Sequence, residues 1–191
     1  MKSFYDYLKE AMYELRDSPE WRERLVAWRK SHAVVRVARQ FRLDRARKLG
    51  YKAKNGYIVA RVRLMRGQHK KTRPTGGRRT KRMTIRKNLK MNYQWIAEAR
   101  TARKFPNMEV LNSYHLAQDG IYYWFEVILV DPSRPEIKND PKINWVCAKE
   151  NTGRVFRGLT SAGRKSRGLR HKGNRAIKVR PSLTAWHHKG K

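Results

Sequence analysis

The positive charge of this chain is segregated. Residues 31–90 carry twenty-one Lys and Arg against one acid, Asp44, and residues 151–191 carry twelve against none. The remaining stretches, 1–30 and 91–150, balance to +1 and −1. Two blocks therefore hold the net charge of +32. Packing so many like charges into a compact body costs stability through self-repulsion, and a polyanion that neutralises them removes that cost. The near-neutral stretches hold most of the apolar residues, so the chain reads as a compact body with basic segments attached. A hydrophobic fraction of 39%, with six Trp and nine Tyr, supplies a core and excludes disorder of the whole chain. At 191 residues it is one domain with extensions.

Hydrophobic periodicity places the elements of the body. Phe4, Leu8, Met12 and Leu15 recur at helical spacing, so residues 3–16 are expected to form an amphipathic helix. Ser18-Pro19-Glu20 starts a second helix, with Trp21, Leu25 and Trp28 on one face. Asp44 is expected to cap a short helix, Arg45 to Leu49, that Gly50 stops. Residues 57–66 alternate: Ile58, Ala60, Val62 and Leu64 point one way, and Val59, Arg61 and Arg63 the other. A helix is predicted over 92–104 with Asn92 as cap, then a strand over 108–117 and a hairpin turn at Asp119-Gly120. Residues 121–130 hold one charge in ten positions, which fits a central strand covered on both faces. The expected fold class is α+β: a small, mainly antiparallel sheet with helices on both faces, plus long basic non-globular extensions. The organisation is 1–65, helices and the first strand of the body; 66–90, a basic loop; 91–150, the rest of the body; 151–191, a basic C-terminal extension. The loop and extension have little apolar periodicity, so they should order only against a partner.

Catalytic and metal chemistry is not visible in the pattern. Residues 153–160 approach a phosphate-binding loop, but Leu159 stands where the required Lys would be. Ser161 lacks the first Gly of a nucleophile elbow, and reads as a helix cap or a phosphate hydrogen bond. The six His, and the single Cys147, are not set at metal-ligand spacing. Glu98, Glu109 and Glu126 read as solvent-facing or paired with Arg. The sequence calls for no cofactor, no metal, no catalytic residue and no small-molecule substrate. It has no signal-peptide pattern and no run of 18 apolar residues, which disfavours secretion and membrane spanning.

The basic segments point to nucleic acid. Lys and Arg neutralise phosphates and release counterions, and the planar Arg fork also stacks on bases. The candidate RNA-binding residues begin with Arg45, Arg47, Lys48, Lys52 and Lys54, followed by Arg61, Arg63 and Arg66. The loop 66–90 adds Lys70, Lys71, Arg73, Arg78, Arg79, Lys81, Arg82, Arg86 and Lys87. The extension adds Arg154, Arg157, Arg164, Lys165, Arg167, Arg170, Lys172 and Arg175. Arg61 and Arg63 are expected to carry the cationic surface from the strand into the loop. Trp21, Trp28, Trp95 and Trp124 are expected in the core, whereas Tyr51, Tyr57, Phe156 and Trp186 are available to stack on bases. The rival readings are an RNA-modifying or RNA-processing enzyme or its accessory, a chromatin-type DNA packager, and a membrane-surface protein. The first lacks a clustered acid–base pair. The last lacks a helix with a basic polar face.

Several blocks resemble a large-subunit ribosomal protein family of archaea and eukaryotes, number fifteen in the eukaryotic naming series. They are residues 43–57 (LDRARKLGYKAKNGY), 110–114 (VLNSY), 126–132 (EVILVDP) and 157–169 (RGLTSAGRKSRGL), matching in order, and the resemblance runs from about residue 4 to 181. It is distinct from the bacterial-type protein that shares the number. The resemblance implies a structural constituent embedded in large-subunit rRNA, in contact with neighbouring large-subunit proteins, supporting translation without catalysis in the cytoplasmic ribosome. It implies a small antiparallel α+β body. The short tail beyond Arg180 differs from the eukaryotic pattern and points to an archaeal source.

Overall fold

A strand with one charge in ten positions cannot sit at a wetted edge. In the computed structural model, which describes residues 2–67, 74–83, 89–171 and 179, that strand is at the centre. Four antiparallel strands, β1 (Val34–Val37), β2 (Tyr57–Met65), β3 (Glu109–Gln118) and β4 (Tyr122–Val130), lie in the order β1-β2-β4-β3. β3 and β4 form a hairpin whose turn is held by Asp119: its carboxylate accepts from the N–H groups of Ile121 and Tyr122. The short strand β1 was not expected from the sequence.

Helices cover both faces. α4 (Tyr93–Lys104) packs on one, burying Trp95, Ala99 and Ala102 against Ala60, Val62, Phe125, Val127 and Leu129. Asn92 caps it as expected, its side-chain oxygen accepting from the Trp95 N–H at 2.8 Å. The other face is shared. α2 (Pro19–Lys30) sets Trp21 and Trp28 on Trp124, while α3 (Leu43–Lys48) and α5 (Pro135–Lys138) bring Ala46 and Ile137 to Tyr114 and Ile128. α1 (Phe4–Asp17) lies outermost, against α2 and α3. All four Trp expected in the core are buried.

Five expectations are corrected. Asp44 does not cap α3. It lies inside the first turn, buried, gripped by the Arg42 guanidinium at 2.8 and 3.3 Å. Tyr57 is buried and packs edge-on to Tyr51, so it has no face free for a base. The outward arginines of β2 are engaged with protein: the Arg61 guanidinium lies 4.7 Å from the ring centre of Trp28 in α2, and Arg63 lies 4.6 Å from that of Tyr122 in β4 and donates to the Arg29 carbonyl. Cation–π contact explains how both arginines fit against the body. Finally, residues 153–171 are not a spread, non-globular extension. They pack on α4 and include a sixth helix, α6 (Ser161–Ser166), with Val155, Thr160 and Ala162 buried. Thr160, rather than Ser161, is the cap of α6, its hydroxyl accepting from the Gly163 N–H at 3.2 Å.

Candidate nucleic-acid interface

Fifteen acids serve a chain of net charge +32, and where their side chains lie decides the sign of each surface. Six are exposed on α1 and α2: Asp6, Glu10, Glu14, Asp17, Glu20 and Glu23. Elsewhere only Glu150 is exposed, and the other eight are buried or half-buried. The rest of the described surface therefore presents its basic groups with almost no acid beside them.

Several of the withdrawn acids hold basic segments to the body. Glu126 of β4 is buried and accepts from the Phe41 N–H at 3.0 Å and from the Tyr114 hydroxyl, fixing the chain that enters α3. Burial pushes its carboxyl pKa up, and hydrogen bonds from Tyr114 and the backbone of Phe41 and Arg42 oppose that rise. Burial, with the facing Glu126, likewise raises the Tyr114 phenol. Glu98 of α4 is fully buried and takes hydrogen bonds from Ser113 of β3 and, at 2.6 Å, from the Thr160 hydroxyl. Its pKa too is raised by burial and pulled back by those hydroxyls and Arg154. Asp140 accepts from both Lys52 and Lys54 at 2.7 Å, which holds its carboxyl below the usual range. The expectation that Glu98 and Glu126 face solvent or pair with Arg is thus wrong. Each is an inward-facing acceptor whose principal partners are hydroxyls or backbone N–H groups.

The basic candidates divide by what they touch. Arg45, Arg47 and Lys48 project from α3 into solvent, and only Arg47 has a recorded side-chain partner, the Tyr5 hydroxyl at 3.1 Å. Arg66, Arg78, Arg79, Lys81 and Arg82 are exposed along the loop. Arg157, Arg164, Lys165, Arg167 and Arg170 are exposed on the C-terminal segment. Lys52 and Lys54 are held by Asp140, Arg61 lies over the Trp28 ring and Arg63 over that of Tyr122, and Arg154 donates to the Val110 and Leu111 carbonyls at 2.8 and 3.1 Å. Four of the exposed arginines also touch protein: Arg66 donates to the Asp119 carbonyl, Arg157 to that of Thr152 at 2.9 Å, Arg167 to that of Gly158 at 3.3 Å, and Arg170 to the Ser161 hydroxyl. Phe156 stands 51% exposed among these cations, beside Arg103. Lys70, Lys71, Arg73, Arg86, Lys87, Lys172, Arg175 and the aromatic Trp186 lie outside the described residues. Such an array of Arg and Lys can meet many phosphates at once, with an aromatic ring for an unpaired base. Among the described residues no three of His, Cys, Asp and Glu come together as a metal site, and no helix is long and apolar enough to cross a membrane. Residues 3–186 match the model of the family described as Ribosomal L15.

Proposed function

The chain belongs to the Ribosomal L15 family, of the L15e type, and from that membership we propose that its basic segments bind folded large-subunit rRNA. The family is a structural, non-enzymatic component of the large ribosomal subunit. One observation supports the finer reading most: outside α1 and α2 every acid but Glu150 is at least half-buried, so phosphate meets cations there with little to repel it. In this reading α3, the loop 66–90 and the segment from 151 onward lie between rRNA helices and screen their mutual repulsion. The body fixes the spacing of those segments. Its setting is the cytoplasmic ribosome, and its partners are rRNA and neighbouring large-subunit proteins.

Ultraviolet crosslinking inside assembled large subunits tests the proposal. Peptides containing Arg45–Lys48, Arg78–Arg82 and Arg164–Arg170 are expected to carry rRNA nucleotides. Absence of RNA from all three would overturn it. In competition at moderate salt, rRNA should displace duplex DNA, because segments shaped for irregular RNA folds do not fit a uniform duplex.

A further inference from the structure

Helix α1 has fourteen residues and buries none of them. Leu8, Met12 and Leu15 are half-buried toward the body, and the Arg47 guanidinium reaches the Tyr5 hydroxyl. The edge beside that face carries Phe4, Tyr7 and Ala11, at i, i+3 and i+7, all exposed; Phe4 is 62% and Tyr7 59% open to solvent. Residues so spaced form one strip along a helix. Glu10 and Glu14 continue from Tyr7 at the same spacing, and both are exposed. An apolar strip flanked by carboxylates is a costly surface to leave in water, and aromatic residues at such a strip favour a protein contact.

The charge decides what covers it. RNA is repelled by the carboxylates, which are scarce on the rest of the surface. A second copy would bring Glu10 and Glu14 against their own counterparts. We propose that the exposed edge of α1 docks a Lys/Arg-rich segment of another protein, one that also offers apolar side chains to Phe4, Tyr7 and Ala11. Its cations pair with Glu14 and take the place of Lys2, which holds Glu10 at 2.8 Å in the free protein, and Tyr7 accepts a cation over its ring. The molecule thus has two faces: a cationic one for RNA and this one for basic protein. The inference rests on the ribosomal reading only for the place where the partner is met.

The test uses the full chain in assembled large subunits. A photoreactive phenylalanine analogue replaces Tyr7 in one variant and Phe156 in another. The Tyr7 probe is expected to capture a protein peptide of net positive charge, and the Phe156 probe rRNA. A Tyr7 adduct with rRNA, with a second copy of this chain or with an acidic peptide overturns the dock, as does no adduct at Tyr7 while Phe156 gives one. A chain that does not sediment with large subunits overturns the ribosomal reading instead. A second variant, Glu10→Lys with Glu14→Lys, keeps the fold because both sites are exposed. It should reduce retention of the captured protein after a salt wash by about tenfold or more, with rRNA affinity equal or higher. Unchanged retention would overturn the proposal.

Discussion

Residues 74–83 and 151–171 carry the same kind of charge: each holds several Arg and Lys and no acid. Their structures diverge. The first is exposed nearly throughout, with a single turn of 3-10 helix at Thr80–Arg82. The second is folded onto α4, with Val155 and Ala162 inside. Charge density is not the cause. The loop stretch offers one large apolar residue, Met83, which is exposed. The C-terminal stretch offers Val155, and the body answers it with Trp95, whose indole N–H donates to the Val155 carbonyl at 2.7 Å, and with Glu98, which takes the Thr160 hydroxyl. A basic segment folds where the body supplies an apolar seat and a matched acceptor, and otherwise stays spread on the surface.

The comparison breaks most visibly at the seat. Trp95→Ala removes the indole that both fills the space under Gly158 and holds Val155. A loss of about 3–5 kcal/mol in unfolding free energy is expected, by urea denaturation. Amide exchange should show protection lost at residues 155–166 and unchanged at 78–82.

The matched acceptor comes next. Glu98→Ala leaves the Ser113 and Thr160 O–H groups without their acceptor and should cost about 2–3 kcal/mol. Glu98→Gln keeps the shape and removes the ionisation. Because burial raises the folded pKa above its ordinary 4.5, the folded state holds this proton more tightly than the unfolded chain. The stabilisation from Glu98 is therefore complete below that ordinary value and declines as pH rises through the raised one. In Glu98→Gln the fall in stability above pH 4.5 should be shallower, and not flat, since Glu126 shifts in the same direction. Asp140 works oppositely: its lowered pKa gives stability above the ordinary Asp value of 3.8 that is lost on acidification. Urea midpoints across pH separate the two.

Glycine gives a finer contrast. Gly158 has a φ of +67°, and a Cβ there would meet the Arg167 side chain at 2.8 Å and the Trp95 ring at 3.1 Å. Gly158→Ala should cost about 1–3 kcal/mol. Gly77 lies in the loop stretch with nothing within 4 Å of a built Cβ, and Gly77→Ala should leave the melting temperature unchanged.

Much of this was legible beforehand. β4 could be placed centrally because one charge in ten positions leaves no face for water, and the Asn92 cap and the Asp119 turn follow from local hydrogen bonding alone. Strand β1 was not, because four residues among basic neighbours show too little alternation to stand out. Glu98 was missed although the signal was present: it falls three residues after Trp95 and four before Ala102, on the stripe that faces the sheet. Glu126 carried a plainer one, since a strand covered on both sides has no outward direction for its one acid. The glycines at 153, 158, 163 and 168 are spaced every five residues. Three of them make positive-φ turns, and Gly163 lies against the Gly158 backbone, so the same spacing serves a tight fold. Which arginines turn inward depended on aromatic rings brought up from distant helices, as Trp28 is to Arg61.

The exposed cations should move stability almost as little as Gly77→Ala. Arg78→Ala, Arg79→Ala and Arg82→Ala together remove three side chains for which no protein partner is seen among the described residues. Unfolding free energy should stay within about 0.5 kcal/mol of the parent. Binding to large-subunit rRNA should nevertheless weaken, and the slope of log affinity against log salt should fall by roughly 2–3, because each phosphate contact contributes roughly 0.7–0.9 to it. Arg154→Ala should show the reverse pattern. Its guanidinium holds the Val110 and Leu111 carbonyls, so stability drops while the salt slope hardly moves. If the triple variant instead destabilised the fold and left the slope intact, the division between a spread basic loop and a seated basic segment would be wrong.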